Sequence, residues 1–139
     1  MLDTDVMVAA IRSDSGASRQ LLLAGLSKRY SLLLSVPLII EYEAVMTRFD
    51  HLISAGITAA DVNLLLDTVV SVAEPVRLAF LWRPVLKDPD DDMVLETAVN
   101  GHADRLVTFN RKDFAIAEKQ FGIVTCSPGD AWKFLEGRQ

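Results

Sequence analysis

Residues 91–108 read DDMVLETAVNGHADRLVT. Val94, Leu95 and Ala98 follow Asp91 at intervals of three, four and seven, which places them on one face of a helix with Asp91 at its head. Gly101 stands where a helix C-terminal cap is expected, and Arg105–Thr108 is a short apolar run of strand type. The same alternation recurs outside this stretch. Strand-like runs at Ser31–Ser35 and Ile123–Cys126 are separated by helical patterns over Ser15–Arg29, Pro37–Phe49, Ala59–Ala73, Asp91–Asn100, Asn110–Phe121 and Pro128–Leu135. Strands that alternate with helices predict an α/β fold with a parallel sheet.

Gly122, just past the Asn110–Phe121 pattern, is a second expected helix cap. In the Glu74–Lys87 stretch, Val76–Trp82 reads as a strand and the rest, interrupted by Pro75 and Pro84, as loop. Only Met1 and Leu2 precede Asp3, so a first strand ending there is very short. The expectation is a start assigned too late or a shortened central strand. With no internal repeat, low-complexity tract or linker-like shift, residues 1–139 read as one domain.

Half the residues are hydrophobic and about a quarter charged, the balance of an ordinary globular protein. No apolar run approaches the ~18–20 residues that span a bilayer, and Asp3 and Asp5 stand where a signal peptide carries Lys or Arg. A cytoplasmic protein with no membrane contact is expected. Cys126 is the one cysteine, which excludes an intrachain disulfide and a multi-cysteine zinc site. The net charge of −5 argues against a protein that coats nucleic acid non-specifically, because that affinity comes from Lys and Arg on phosphates. It does not exclude a nuclease whose acids are neutralised by cations while Arg12, Arg111 and Lys112 face the phosphate backbone.

Three acidic groups fall where strands hand over to helices: Asp3 with Asp5, the run Asp88-Pro89-Asp90-Asp91-Asp92, and Asp113 beyond the strand that ends at Thr108. Such handovers lie at the carboxyl edge of a parallel sheet, where ligands bind. Two carboxylates ~5 Å apart at an effective dielectric of ~20 repel by roughly 3 kcal/mol, so a cluster calls for a proton or a cation. Oxygen-only donors suit Mg²⁺ or Mn²⁺, which activate water and stabilise a phosphodiester's attacking and leaving oxygens.

Each acid also has a plainer explanation. Helical spacing turns Asp91 inward and Asp92 toward the flank, yet any one Asp of the run serves equally as a helix cap. On the Pro37–Phe49 helix the stripe Leu38, Tyr42, Val45, Phe49 leaves Glu41 and Glu43 on opposite flanks, and periodicity does not choose between them. Asn110 and Asp113 have the spacing of an N-cap with an acidic third residue. Asp3-Thr4-Asp5, read as extended chain, sets both carboxylates on one side.

Together these pieces resemble a PIN domain, most closely the toxins of bacterial toxin–antitoxin pairs, including VapC-type toxins. Leu2-Asp3-Thr4-Asp5-Val6 resembles the opening motif, Leu34-Ser35-Val36-Pro37 through Glu41 the second acidic block, and Asp88 to Asp92 the third. Leu106-Val107-Thr108 through Asn110 and Asp113-Phe114 resembles the fourth. The resemblance implies a three-layer sandwich with a parallel sheet of four to five strands flanked by helices. It also implies an endoribonuclease that uses Mg²⁺ or Mn²⁺, a cognate antitoxin and a homodimer. The catalytic acids would be Asp3, Glu41, Asp91 and Asp113, with Asp3, Asp91 and Asp113 on the metal and Asp5, Asp92, Thr108 and Asn110 in support. Asp5 stands where the family usually has Asn, which adds a negative charge.

Other mechanisms fit less well. A histidine nuclease needs a positioned acid and base, but His51 falls in a loop by this reading and His102 follows Gly101. Cys126 sits in an apolar strand run and Ser127 reads as a helix cap. A phospho-acceptor receiver domain wants a late strand-end Lys, and Lys112 lies beyond Thr108 and Asn110. A PIN-like module that binds RNA or a partner without cutting remains the non-enzymatic alternative, against which the retention of all four acids argues.

Overall fold

The computed structural model describes residues 1–79 and 89–137. Helices account for most of it. α1 (Thr4–Arg12) and α2 (Ala17–Leu26) pack together, and α2 also meets α8 (Pro128–Glu136). α3 (Val36–Met46) touches α1, α5 (Ala59–Val72) and α6 (Pro89–Asn100), while the short α4 (Phe49–Ala55) leans on α1. The buried faces meet in one core that includes Leu2, Val6, Met7, Leu38, Met46, Leu95, Leu106 and Phe114. No single described helix is long and apolar enough to cross a membrane; α4 and α5 reach that composition only jointly, across a bend of 88°.

The strands are short and all pair in parallel. β1 (Leu33–Leu34) pairs with β2 (Glu74–Pro75), and β3 (Arg105–Val107) with β4 (Val124–Cys126). Leu2 adds a parallel bridge to Val107, whose carbonyl accepts from Asp3 N at 2.9 Å and whose N–H donates to Met1 O at 2.9 Å. The alternation therefore predicts the parallel sense correctly, but not the extent. Among the described residues the expected sheet of four to five strands takes the form of two two-stranded sheets and one bridge. Helix caps take the strand ends. Ser35, read as strand, instead caps α3 by accepting from Leu38 N at 3.3 Å, and Asp3 caps α1.

Several expected elements change shape. α1 replaces the extended Asp3-Thr4-Asp5 segment. The Pro37–Phe49 helix breaks at Thr47–Arg48, where Arg48 is extended (φ −61°, ψ 140°), into α3 and α4. His51 consequently lies on a helix rather than in a loop. The Asn110–Phe121 helix opens as a 3-10 turn (Arg111–Phe114) before α7 (Ala115–Phe121). The strand assigned to Val76–Trp82 falls instead at Glu74–Pro75, with Val76 N still donating to Leu34 O at 2.7 Å. Part of that segment, Phe80–Trp82, and Asp88 lie outside the described residues.

The two expected cap glycines behave differently. Gly122 is left-handed at φ 67° and closes α7. After α6 the left-handed residue is His102, at φ 53°, rather than Gly101. Gly101 is needed for space: a Cβ there would lie 2.8 Å from Val76 Cγ2, 2.9 Å from Leu33 Cδ1 and 3.0 Å from Thr97 O. The glycine thus lets the end of α6 press against β1 and the chain leaving β2.

Candidate active site

The bridge through Leu2 delivers Asp3 to the carboxyl end of β3, where the chain turns from Val107 into Thr108. Asp3 is buried, at 5% exposure. Its Oδ1 accepts from Thr4 N at 2.7 Å, the capping bond of α1, and its Oδ2 accepts from Thr108 Oγ1 at 2.7 Å. Thr108 Oγ1 in turn accepts from Asn110 N at 3.0 Å, so one buried hydroxyl ties the acid to the turn of the next loop. The Tyr42 hydroxyl donates to Leu2 O and fixes α3 to the same strand end.

Asp5, in the first turn of α1, faces the same loop. Its Oδ2 accepts from Phe109 N at 3.1 Å and from Asn110 Nδ2 at 3.0 Å. Its Oδ1 is buried with no well-formed hydrogen bond, while the Val6 N–H and the Asp3 carboxyl also act on this carboxylate. Burial first, then the charge of Asp5, pushes the Asp3 carboxyl up to about 7 against the help of Thr108 and Thr4. Asp5 is also raised, chiefly by burial, with a further push from the nearby charge of Asp91. The two aspartates interact directly through their carboxyls. At neutral pH this arrangement holds a proton between them or takes a cation in its place.

Helical spacing misjudged the acids of α6. Asp92, assigned to the flank, is buried at 2% exposure, whereas Asp91, assigned inward, is half-buried. Glu96, fully buried, was missed altogether. Every residue from Asp92 to Ala98 is buried, so this helix is enclosed on all sides and its periodicity has no exposed face to mark. The available signal was the separation of four between Asp92 and Glu96, which stacks the two side chains on one helix face. Thr97 Oγ1 donates to Met93 O at 3.0 Å and stands 2.7 Å from Ser35 Oγ, which locks α6 to the start of α3.

Glu41 is half-buried on α3, and Glu43 is exposed, so exposure separates two flanks that periodicity left equal. α3 packs against both α1 and α6, the helices that carry Asp5 and Asp91. Asn110 does not cap a helix with its side chain, contrary to its spacing; that amide is spent on Asp5. Asp113 is exposed on the 3-10 turn, which contacts α6 and β4. The structure therefore ties Asp3, Asp5, Thr108 and Asn110 together by hydrogen bonds, brings the charge of Asp91 to bear on Asp5, places Glu41 on an adjoining helix, and sets Asp113 exposed on the turn that contacts α6. Among the described residues no three acidic, histidine or cysteine side chains form a ready metal cage.

A PIN-domain family model matches residues 1–112. The chain belongs to the PIN-domain family. The match ends one residue before Asp113 and includes every other site residue named above. No curated protein and no solved structure matches the chain. PIN domains are generally nucleases, act on nucleic acid and typically use divalent metal ions. The residues present fit such an ion. The donors are all oxygen, Asp5 Oδ1 is buried with no well-formed hydrogen bond, and the charge of Asp5 opposes ionisation of Asp3 until positive charge arrives.

Proposed function

We propose that this PIN domain is a Mg²⁺- or Mn²⁺-dependent endoribonuclease and the toxin of a toxin–antitoxin pair, at work in the cytoplasm. The observation that carries the reading is the buried Asp3 carboxyl with the half-buried Asp5 against it, on which the charge of Asp91 also acts. Asp3, Asp91 and Asp113 would hold the metal, and Glu41 completes the set of catalytic acids. Asp5, Thr108, Asn110 and Asp92 support them. When bound, the ion supplies positive charge at the phosphate and a water of lowered pKa.

The chain's own residues supply orientation. Thr108 fixes one oxygen of Asp3 and Thr4 N the other, so this carboxyl cannot rotate. Asn110 and Phe109 N hold Asp5 against the same loop. Arg111 and Lys112, exposed on the following turn, offer cations to an incoming phosphate backbone. Hydrolysis by an attacking water leaves a 5′-phosphate and a 3′-hydroxyl. A route through the ribose 2′-hydroxyl leaves a 2′,3′-cyclic phosphate.

The test is incubation of mixed RNAs with Mg²⁺, with Mn²⁺ and in EDTA. Metal-dependent cleavage with 5′-phosphate ends supports the proposal; undiminished cleavage in EDTA overturns it. The exposed position of Asp113 favours the second reading, a PIN module that binds RNA or a partner without cutting. That reading is supported by RNA retention without cleavage in any metal. Exposed apolar side chains on neighbouring helices, Val36 and Ile40 of α3 and Phe49 and Ile53 of α4, support a homodimer and an antitoxin contact. A strict monomer by sedimentation at tens of micromolar would remove the dimer.

A further inference from the structure

Phe109 has an unusual place among the exposed aromatic side chains. Phe134 lies under the Arg105 guanidinium at 3.7 Å, and Phe49 sits on α4. Phe109 belongs to the loop that binds the acids, is 56% exposed, and donates its own backbone N–H to Asp5 Oδ2 at 3.1 Å. The residues on either side are fixed as well: Thr108 by its hydroxyl bond to Asp3, Asn110 by its bonds to Thr108 Oγ1 and Asp5. A large apolar ring left in solvent gains nothing from burial. Here it is rooted on a braced loop, one residue from two groups bonded to the acids and two residues before Arg111.

We infer that Phe109 is a stacking platform for an unpaired base next to the scissile phosphate. The inference rests on the nuclease reading for its choice of RNA. Three physical points carry it. An aromatic face receives any base, and one such stack changes affinity by ~1–3 kcal/mol, or about 5- to 150-fold, on removal of the ring. A loop held by hydrogen bonds loses little freedom when it binds. Exposed Arg111 and Lys112 follow closely, so a phosphate next to the stacked base meets positive charge on a chain whose net charge is −5. A base inside a duplex is already stacked on both faces and cannot use the platform.

The test measures binding, not turnover. Fluorescence anisotropy of a labelled single-stranded RNA and of a hairpin of equal length, its loop replaced by a polyethylene glycol linker so that no base is unpaired, is recorded in EDTA and in Ca²⁺ for the full chain and for Phe109→Ala, Phe109→Leu and Phe109→Trp. The expected result is at least a 5-fold loss of single-strand affinity for Phe109→Ala, a similar loss for Phe109→Leu, retention by Phe109→Trp, and no change on the hairpin. The ring is exposed, so all variants should melt with the parent chain. A series of oligonucleotides, each with one abasic position, should contain a member on which the parent and Phe109→Ala bind equally. Phe109→Ala within 2-fold of the parent on the single strand, equal losses on single strand and hairpin, or full affinity in Phe109→Leu would overturn the inference. RNA that is bound through Phe109 yet never cut removes the nuclease reading alone; cleavage with no role for Phe109 removes the platform alone.

Discussion

The two halves of the site are built on opposite principles. Asp3 and Asp5 are held by the Thr108–Asn110 loop in a desolvated setting, where the charge of Asp5 adds to the cost of ionising Asp3 and burial raises the cost of ionising Asp5. Asp113, Arg111 and Lys112 stand in solvent on a 3-10 turn. The buried half is costly to ionise and therefore attracts positive charge strongly, whereas the exposed half costs little and can adjust to a substrate. The contrast teaches that burial, not the number of acids, makes the site demand a cation.

The largest expected effect tests that demand directly. Asp91→Asn removes a charge that raises Asp5, so cleavage should fall by ~100-fold or more while the melting temperature holds or rises. Full activity in this variant would break the assignment. Glu41→Gln should lose activity on a similar scale. Glu43→Gln, on the exposed flank of the same helix, should match the parent; the reverse pair of results would move the site to the other flank.

A smaller effect tests the bracing. Thr108→Val keeps shape but deletes the donor to Asp3 and the acceptor for Asn110 N, so it should cost about 1–3 kcal/mol in urea denaturation. Activity should fall ~10-fold, as for other groups that orient a metal's ligands. Unchanged stability would show that the loop is held elsewhere.

The pH dependence of stability follows from Asp3. Its folded pKa of about 7 lies above the ordinary value of 3.8, so between those pH values the folded chain binds more protons than the unfolded one. In the absence of divalent metal, stability should therefore decline as pH rises from about 4 through about 7, and Asp3→Asn should flatten that decline. A slope of the opposite sign in metal-free buffer would contradict the buried pair. The smallest effect belongs to the exposed half: Asp113→Asn should leave the melting temperature unchanged within about 2 °C, since surface substitutions shift stability by no more than ~0.5 kcal/mol. Its cleavage rate then shows whether Asp113 joins the site when RNA is bound.

The sequence announced some of this and concealed the rest for identifiable reasons. Parallel pairing and the order of α2, α5, α6 and α8 follow from alternation and, at Ser127, from a capping signal; the capping box of Thr58 and Asp61 at α5 went unread. The helix at Thr4–Arg12 escaped because Asp3-Thr4-Asp5 alternates as a strand does, although Asp3 is equally a cap. Strand ends were overestimated wherever a capping residue, such as Ser35, also suits a strand. For the site, the Asp3–Asp5 meeting was legible but its cause was misread: a cap and its first turn bring them together, not an extended pleat. Asn110 had the spacing of a cap and turned to Asp5 instead, a long-range bond that no local pattern reveals. Glu96 was hidden because burial on all sides erases periodicity.

The Asp3 carboxylate has one further consequence, for anyone sorting relatives of this chain. Folding alone requires a capping side chain at position 3, and Asn or Ser would start α1 nearly as well as Asp. A lineage that had lost all chemistry would go on selecting such a residue there, so its persistence is a record of helix initiation. Glu41 lies in mid-helix, where no cap needs it. Its exchange for a neutral residue in a homologue would be the earlier sign of a domain that has stopped cutting.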